Sequence, residues 1–243
     1  MGKIEDSLTA IQAIEDSTER AMALGGLIST LFKMRGIVPV MVGRLAYDCY
    51  VGDINTGRDL VLGTFNGVHQ PRVLQEVLGE QLQGEGMIWN WYIAAVAVEI
   101  RPDFVSTQKD LCRDFQTDYG IIKLMPLEEL IAERVLASYY PRPNDTARSE
   151  AKRLMAMGLA NVYDIKWPVL QEMCNSNAYR VGEQLAELRG EAKQDVDEAL
   201  SDAQSRVLEE STDTIPLPGS ENPVPSLPSE ENASTFPDPA VDS

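Results

Sequence analysis

The residues of this chain that could do chemistry are few, and their types narrow the choices before any fold is considered. His69 is the only histidine, which excludes a multi-histidine metal site and leaves any histidine-dependent hydrolase to be built around that one side chain. Its neighbours, Gly67-Val68 and Gln70-Pro71, read as a loop entering a helix, where a surface or capping role is expected. Cys49, Cys112 and Cys174 stand about sixty residues apart, without the short pairing that zinc sites use, so buried and reduced thiols are expected. What remains is a constellation of glycine, arginine and carboxylates. Gly43 and Arg44 end one apolar run, Thr56 and Arg58 precede Asp59 at the start of another, and Glu99 stands in a third. Taken singly, these read as a strand-ending glycine, a turn-capping aspartate and a solvated glutamate on an edge strand.

The charge background limits the partners. The 243 residues carry 21 Lys+Arg against 38 Asp+Glu, a formal charge of −17. Residues 191–243 hold 13 acids and 2 bases, so the body is mildly acidic and the tail dominates the sum. That balance disfavours non-specific grip on a nucleic-acid backbone, which needs clustered Lys and Arg. The apolar run from Trp91 to Val98 is less than half of the roughly 20 residues a membrane-spanning helix requires. The start, Met1-Gly2-Lys3-Ile4-Glu5-Asp6, has no apolar leader, and a cytoplasmic protein is expected.

The elements that must position the constellation follow from periodicity. Ile11, Ile14, Ala21, Leu24, Leu27, Ile28 and Leu31 predict helix over the first thirty-odd residues. Ile37 to Val42 reads as a buried strand closed by Gly43, Arg44 to Tyr50 as a short helix, Gly52 to Asn55 as a turn, and Asp59 to Leu62 as the next strand. A helix starts at Pro71. Met87–Ile93 and Ala94–Ile100 read as two extended runs, with Trp89, Trp91 and Tyr92 in the sheet core, and Gly120–Leu124 as one more strand. After Pro126 the pattern is helical: Leu127–Tyr139, Asp145–Met157, a third helix from near Asn161, and a long one from about Ala178. The last keeps Leu185, Leu188, Ala192, Val196, Ala199, Ala203 and Val207 on one side and acids on the other, a stripe that suits either the body or a partner. Residues 211–243 hold half of the prolines and are expected to be disordered.

Val42-Gly43-Arg44-Leu45-Ala46 through Thr56-Gly57-Arg58-Asp59-Leu60-Val61-Leu62 resembles the nucleotidyltransferase superfamily, in particular its small stand-alone members, whose core reads V-G-G-x-A and then T-x-x-D-I-D-L. The resemblance runs through Glu99 to Lys123–Leu130 and covers roughly residues 20–190. It implies an α/β (α+β) core with a mixed sheet over residues 1–125, a helical part over 126–210 and the acidic, Pro-rich tail over 211–243. It also implies a site: Asp59 and Glu99 as catalytic carboxylates holding Mg²⁺, with Gly43, Arg44, Thr56 and Arg58 binding a nucleoside triphosphate. The chemistry wants these types, because carboxylate-held Mg²⁺ neutralises charge during phosphoryl transfer and a glycine lets backbone N–H groups approach phosphate at a helix N-terminus.

Two positions depart from the pattern. The second glycine is Arg44 and the second aspartate is Val61, so the cage falls from three carboxylates to two, any Mg²⁺ is held weakly, and transfer is impaired or altered. Arg44 acts in the other direction, since a guanidinium can grip phosphate bidentately. The resemblance further implies a place in a toxin–antitoxin pair, with nucleotide transferred to tRNA or to a partner toxin. The alternative is a non-catalytic interaction protein, a pseudo-enzyme that meets a basic protein partner through its acidic helix and tail.

Overall fold

The computed structural model describes residues 2–52, 59–64, 71–102 and 108–212. Where periodicity predicts a single N-terminal helix there are two, α1 (Gly2–Gln12) and α2 (Ser17–Lys33). The break is a capping event. Asp16 is extended, and its carboxylate accepts the backbone N–H groups of Thr18 at 2.9 Å and Glu19 at 2.7 Å, which satisfies two orphan donors and starts α2 afresh.

α2 is the central support of the sheet. Leu24 and Ile28 are fully buried, each contributing about 1.5–3 kcal/mol by leaving water. Ser29 Oγ donates to the Ile121 carbonyl at 2.7 Å, which fixes the helix against the strand beneath it. The close approach runs through Gly26: a Cβ there would lie 2.0 Å from Thr117 Oγ1 and 3.1 Å from the Gly120 carbonyl oxygen.

The sheet is mixed, as expected. Its seven strands are β1 (Pro39–Val42), β2 (Leu60–Thr64), β3 (Glu85–Met87), β4 (Asn90–Ile93), β5 (Val96–Ile100), β6 (Arg113–Thr117) and β7 (Gly120–Leu124), in the order β3-β4-β5-β2-β1-β7-β6. β1 pairs antiparallel with β2 and parallel with β7, and β2 pairs parallel with β5. Two readings of the sequence are corrected here. The stretch Glu85–Ile100 holds three strands where two extended runs were expected over Met87–Ile100, because the chain turns at Ile88-Trp89 and again at Ala94-Ala95. Ala94 and Ala95 both have positive φ, 48° and 61°, the demand of a tight primed hairpin turn, which overrides the extended preference of the run. β6 is the other correction: Arg-Asp-Phe-Gln-Thr has one large apolar residue, so nothing in its composition announced a strand. Trp91 is core as expected, whereas Tyr92 on the opposite face is 54% exposed.

Six further α-helices stand among the described residues, with a 3-10 turn at Lys109–Leu111. α3 (Gly43–Val51) follows β1 directly, and α4 (Pro71–Leu74) continues as π-helical turns to Gln81. α5 (Leu127–Tyr139) and α6 (Asp145–Leu159) match their predicted spans closely, while α7 (Trp167–Asn175) and α8 (Gly182–Thr212) begin later than predicted. Asn161 and Arg180, which the pattern placed near helix starts, have φ of 57° and 54°, a left-handed backbone that a helix interior excludes. Residues 1–201 form one compact unit, whose buried cluster runs from Ile11 through the sheet to Ala192. Along α8, Leu185, Leu188 and Ala192 of the stripe are buried, Val196 is half-buried and Ala199 is exposed, as is Leu200 beside it. Residues 202–212 are helical. His69 and residues 213–243 lie outside the described residues, and no helix among the described residues is long and apolar enough to cross a membrane.

All three cysteines are free, Cys174 buried and Cys49 and Cys112 partly so. Burial pushes each thiol up to about 12. Two outcomes are expected. Gly26→Ala lowers stability by about 1–3 kcal/mol through overpacking, whereas Gly190→Ala, where an added Cβ meets nothing within 4 Å, raises it by up to about 1 kcal/mol; urea midpoints report both. The unfolded thiols ionise near about pH 8.5 and the folded ones near about 12, so stability holds below the first value and falls as pH rises toward the second. The urea midpoint, followed upward from neutral pH, checks that sign.

Candidate functional site

The sequence places Gly43, Val61 and Glu99 far apart, and strand pairing brings them together. Gly43 follows the last residue of β1 and opens α3 with φ of +71°, a conformation open to glycine without penalty. The antiparallel register sets Val42 beside Val61, and a Cβ added to Gly43 would lie 3.8 Å from Val61 Cγ2. On the other side of β2 the parallel register sets Val61 beside Glu99, and β4 sets Asn90 beside Glu99. Leu60, Leu62, Val98 and Ile100 are buried, while Glu99, Ala97 and Asn90 are exposed. One face of β2 and β5 therefore packs into the core, and the other carries the glutamate. Asp59 is exposed and immediately precedes β2. Thr56 and Arg58 lie outside the described residues.

Arg44 stands at the first turn of α3, but its guanidinium is engaged by carboxylates. Its Nε lies 2.9 Å from Asp48 Oδ1 one turn along the helix, and its Nη1 donates to Glu150 of α6. Glu150 is shared: Arg134 Nη1 of α5 lies 3.3 Å from its other oxygen. Arg44 also stacks 4.8 Å from the Tyr47 ring centroid. Burial first, then the Glu150 carboxylate, push the Tyr47 phenol up, while Arg153 and Arg44 pull it down. Asp48 and Glu150 are almost fully buried, so each needs its cation. The cluster joins α3 to α5 and α6.

Sequence reasoning missed this cluster for a physical reason. Arg44 and Asp48 have the four-residue spacing of a helical ion pair, and that half was legible. The Arg44 to Glu150 pair spans 106 positions, and only the tertiary fold brings it about. Lys152 of α6 pairs with Asp195 of α8 at 2.8 Å and with Glu191 at 3.5 Å, and Arg148 of the same helix pairs with Glu187 at 2.9 Å and with Glu191.

Among the described residues no group of three or more His, Cys, Asp or Glu is placed to hold a metal ion. Two carboxylates, Asp59 and Glu99, remain as oxygen donors at the strand pair. That number is what one Mg²⁺ takes when phosphate and water complete its shell. It does not suit a two-metal cage.

No family model and no curated protein matches this chain. Among solved structures, the antibiotic-resistance factor ANT(2'')-Ia in solution is similar with a TM-score of 0.41 at 15% identity, over 74% of this chain and 94% of that one. A likeness at that level carries no argument about what the chain does.

The buried ion cluster yields a mutational expectation. Glu150→Ala takes away the carboxylate shared by Arg44 and Arg134 and should lower stability by about 2 kcal/mol. That is below the usual cost of breaking a buried pair, because the Arg44 side chain is 40% exposed and water screens the orphaned charge. Glu150→Gln, which keeps the shape and one acceptor, should cost less. The two urea midpoints measured at one pH decide the order.

Proposed function

We propose that this is a nucleotidyltransferase-like protein that binds a nucleoside triphosphate where α3 begins beside β2 and β5, with Mg²⁺-dependent transfer impaired. The observation that carries the reading is the register of β2: it brings Val42, the residue before the positive-φ glycine at the head of α3, into one row across the sheet with Val61 and Glu99. In the motif that the sequence resembles, Val61 holds the place of the second aspartate.

In this reading Asp59 and Glu99 hold the single Mg²⁺ that the donor set suits. When bound, the ion neutralises phosphate charge. Gly43 leaves the head of α3 open, so its backbone N–H groups can meet phosphate oxygens. Arg44 reaches a phosphate only by exchanging Glu150 for it, a swap of one oxyanion for another. Thr56 and Arg58 complete the nucleotide-binding set that the resemblance implies. An acceptor hydroxyl on tRNA or a partner toxin, as in toxin–antitoxin pairs, is the corresponding second substrate.

A second reading is a non-catalytic interaction protein that binds a basic protein partner through its acidic helix and tail. Leu200, more than half exposed on α8 beyond the last buried position, favours it. Calorimetric titration with each nucleoside triphosphate, with and without Mg²⁺, separates the two. Metal-dependent binding that weakens by at least about tenfold, or about 1.4 kcal/mol, in the Asp59→Ala, Glu99→Ala double variant is the expected result. Unchanged binding in that variant overturns the site, and no binding of any triphosphate by the wild-type protein turns the assignment to the second reading.

A further inference from the structure

At the far end of the sheet from the proposed nucleotide site, β6 is an edge strand, hydrogen-bonded to β7 alone among the described residues. A free edge presents a row of backbone donors and acceptors that natural proteins usually blunt or cover. Here the edge is not bare. Beside it lies an open groove of about 630 Å³, between β6 and the N-terminal half of α2.

The lining of the groove has a pattern. Ile14, Met22 and Phe115 form an apolar floor, and Asp16, Glu19 and Asp118 stand around it. No lysine or arginine lines it. Arg20, the nearest cation in sequence, donates to the Ile14 carbonyl at 3.0 Å. Thr117 faces α2, since a Cβ on Gly26 would meet its hydroxyl, and Phe115, two residues away on the same face, lines the groove. α2 thus underlies the place where one more strand would lie, about 4.8 Å out from β6. The inward side chains of such a strand would enter the groove, and its main chain would pair with the free edge.

We propose that β6 and this groove form a docking site for an extended segment of a partner protein, added as an eighth strand, with apolar and basic side chains at its groove-facing positions. Backbone pairing supplies affinity and the groove supplies selection, as in other strand-addition complexes. Apolar side chains on one face meet Ile14, Met22 and Phe115. Lysine or arginine on the same face reaches the acids at the rim, Asp16, Glu19 and Asp118, where opposite charge speeds and orients the encounter. A second copy of this chain is a poor occupant, because its own β6 carries Asp114 and brings a second set of the same acids to the rim.

The test uses the full chain and a fluorescein-labelled heptapeptide that carries valine and lysine in turn at its odd positions and threonine at its even ones, followed by anisotropy, with amide shifts of residues 113–117 followed by NMR. Binding should shift those amides. Glu19→Lys should weaken it by at least about tenfold, equivalent to about 1.4 kcal/mol, while Glu198→Lys, the same charge change on exposed α8, should weaken it by under about twofold. Two N-methylated versions of the peptide, blocked on alternate N–H groups, test strand pairing without altering the protein. One edge of the peptide must face β6, so one version should bind like the parent and the other should lose binding. Equal binding by both versions, equal weakening by the two charge reversals, or no shift at 113–117 overturns the proposal. Shifts at 113–117 that grow with protein concentration alone would assign the edge to a second copy and overturn it as well.

Discussion

β2 lies between two partners of opposite sense, antiparallel to β1 and parallel to β5, and most of what this molecule can do is settled by that placement. Side chains alternate along a strand, so a slip of one residue on either side would exchange the buried and exposed sets. The core forbids it. Leu60 and Leu62 are almost fully buried, as are Val98 and Ile100 beside them, and moving four such side chains into water would cost on the order of 6–12 kcal/mol. Burial on one face therefore fixes what stands on the other, and the meeting of Gly43, Val61 and Glu99 follows from packing in which none of them leads.

α2 holds that arrangement in place. It is the helix through which β7, β1 and the edge strand β6 share one core, and its small residues allow the approach. Gly26 admits Thr117 and the backbone of Gly120, and Gly25 admits the tips of Ile122 and Leu60. Ser29, fully buried, has its hydroxyl satisfied by the Ile121 carbonyl, so a polar group at the helix–sheet contact fixes register without leaving an unmet hydrogen bond.

Much of this was legible in the sequence where one face dominates. The buried strand ending at Gly43, the helix after it, the strand containing Leu60 and Leu62, and the spans of α5 and α6 all follow from apolar periodicity and turn residues. The failures share a cause. β6 has one large apolar residue and is held by pairing with β7. The turns at Ile88-Trp89 and Ala94-Ala95 use residues with no turn preference, imposed because β4 must double back on both β3 and β5. Asp16 caps a helix inside what periodicity reads as a single one. At the candidate site, Gly43, Asp59 and Glu99 could be singled out through the motif that the sequence resembles, whereas Glu150, Arg134 and Asn90 reach the same region through contacts that no local pattern records.

The two departures from the motif that the sequence resembles are different in kind. Val61 puts an apolar side chain where that motif has a charge, and of its strand neighbours, Val42 and Glu99, one is a carboxylate. Arg44 adds a charge, and the structure does compensate, with Asp48 from its own helix and Glu150 from α6. A guanidinium held by two nearly buried carboxylates is already oriented, so its exchange onto a phosphate trades one charge-assisted contact for another and gains little net energy. An anion arriving at the head of α3 therefore meets backbone N–H groups first and Arg44 only at the cost of loosening α6. The substitution that looks like added phosphate affinity is, in this fold, first a link between the sheet and the helices behind it.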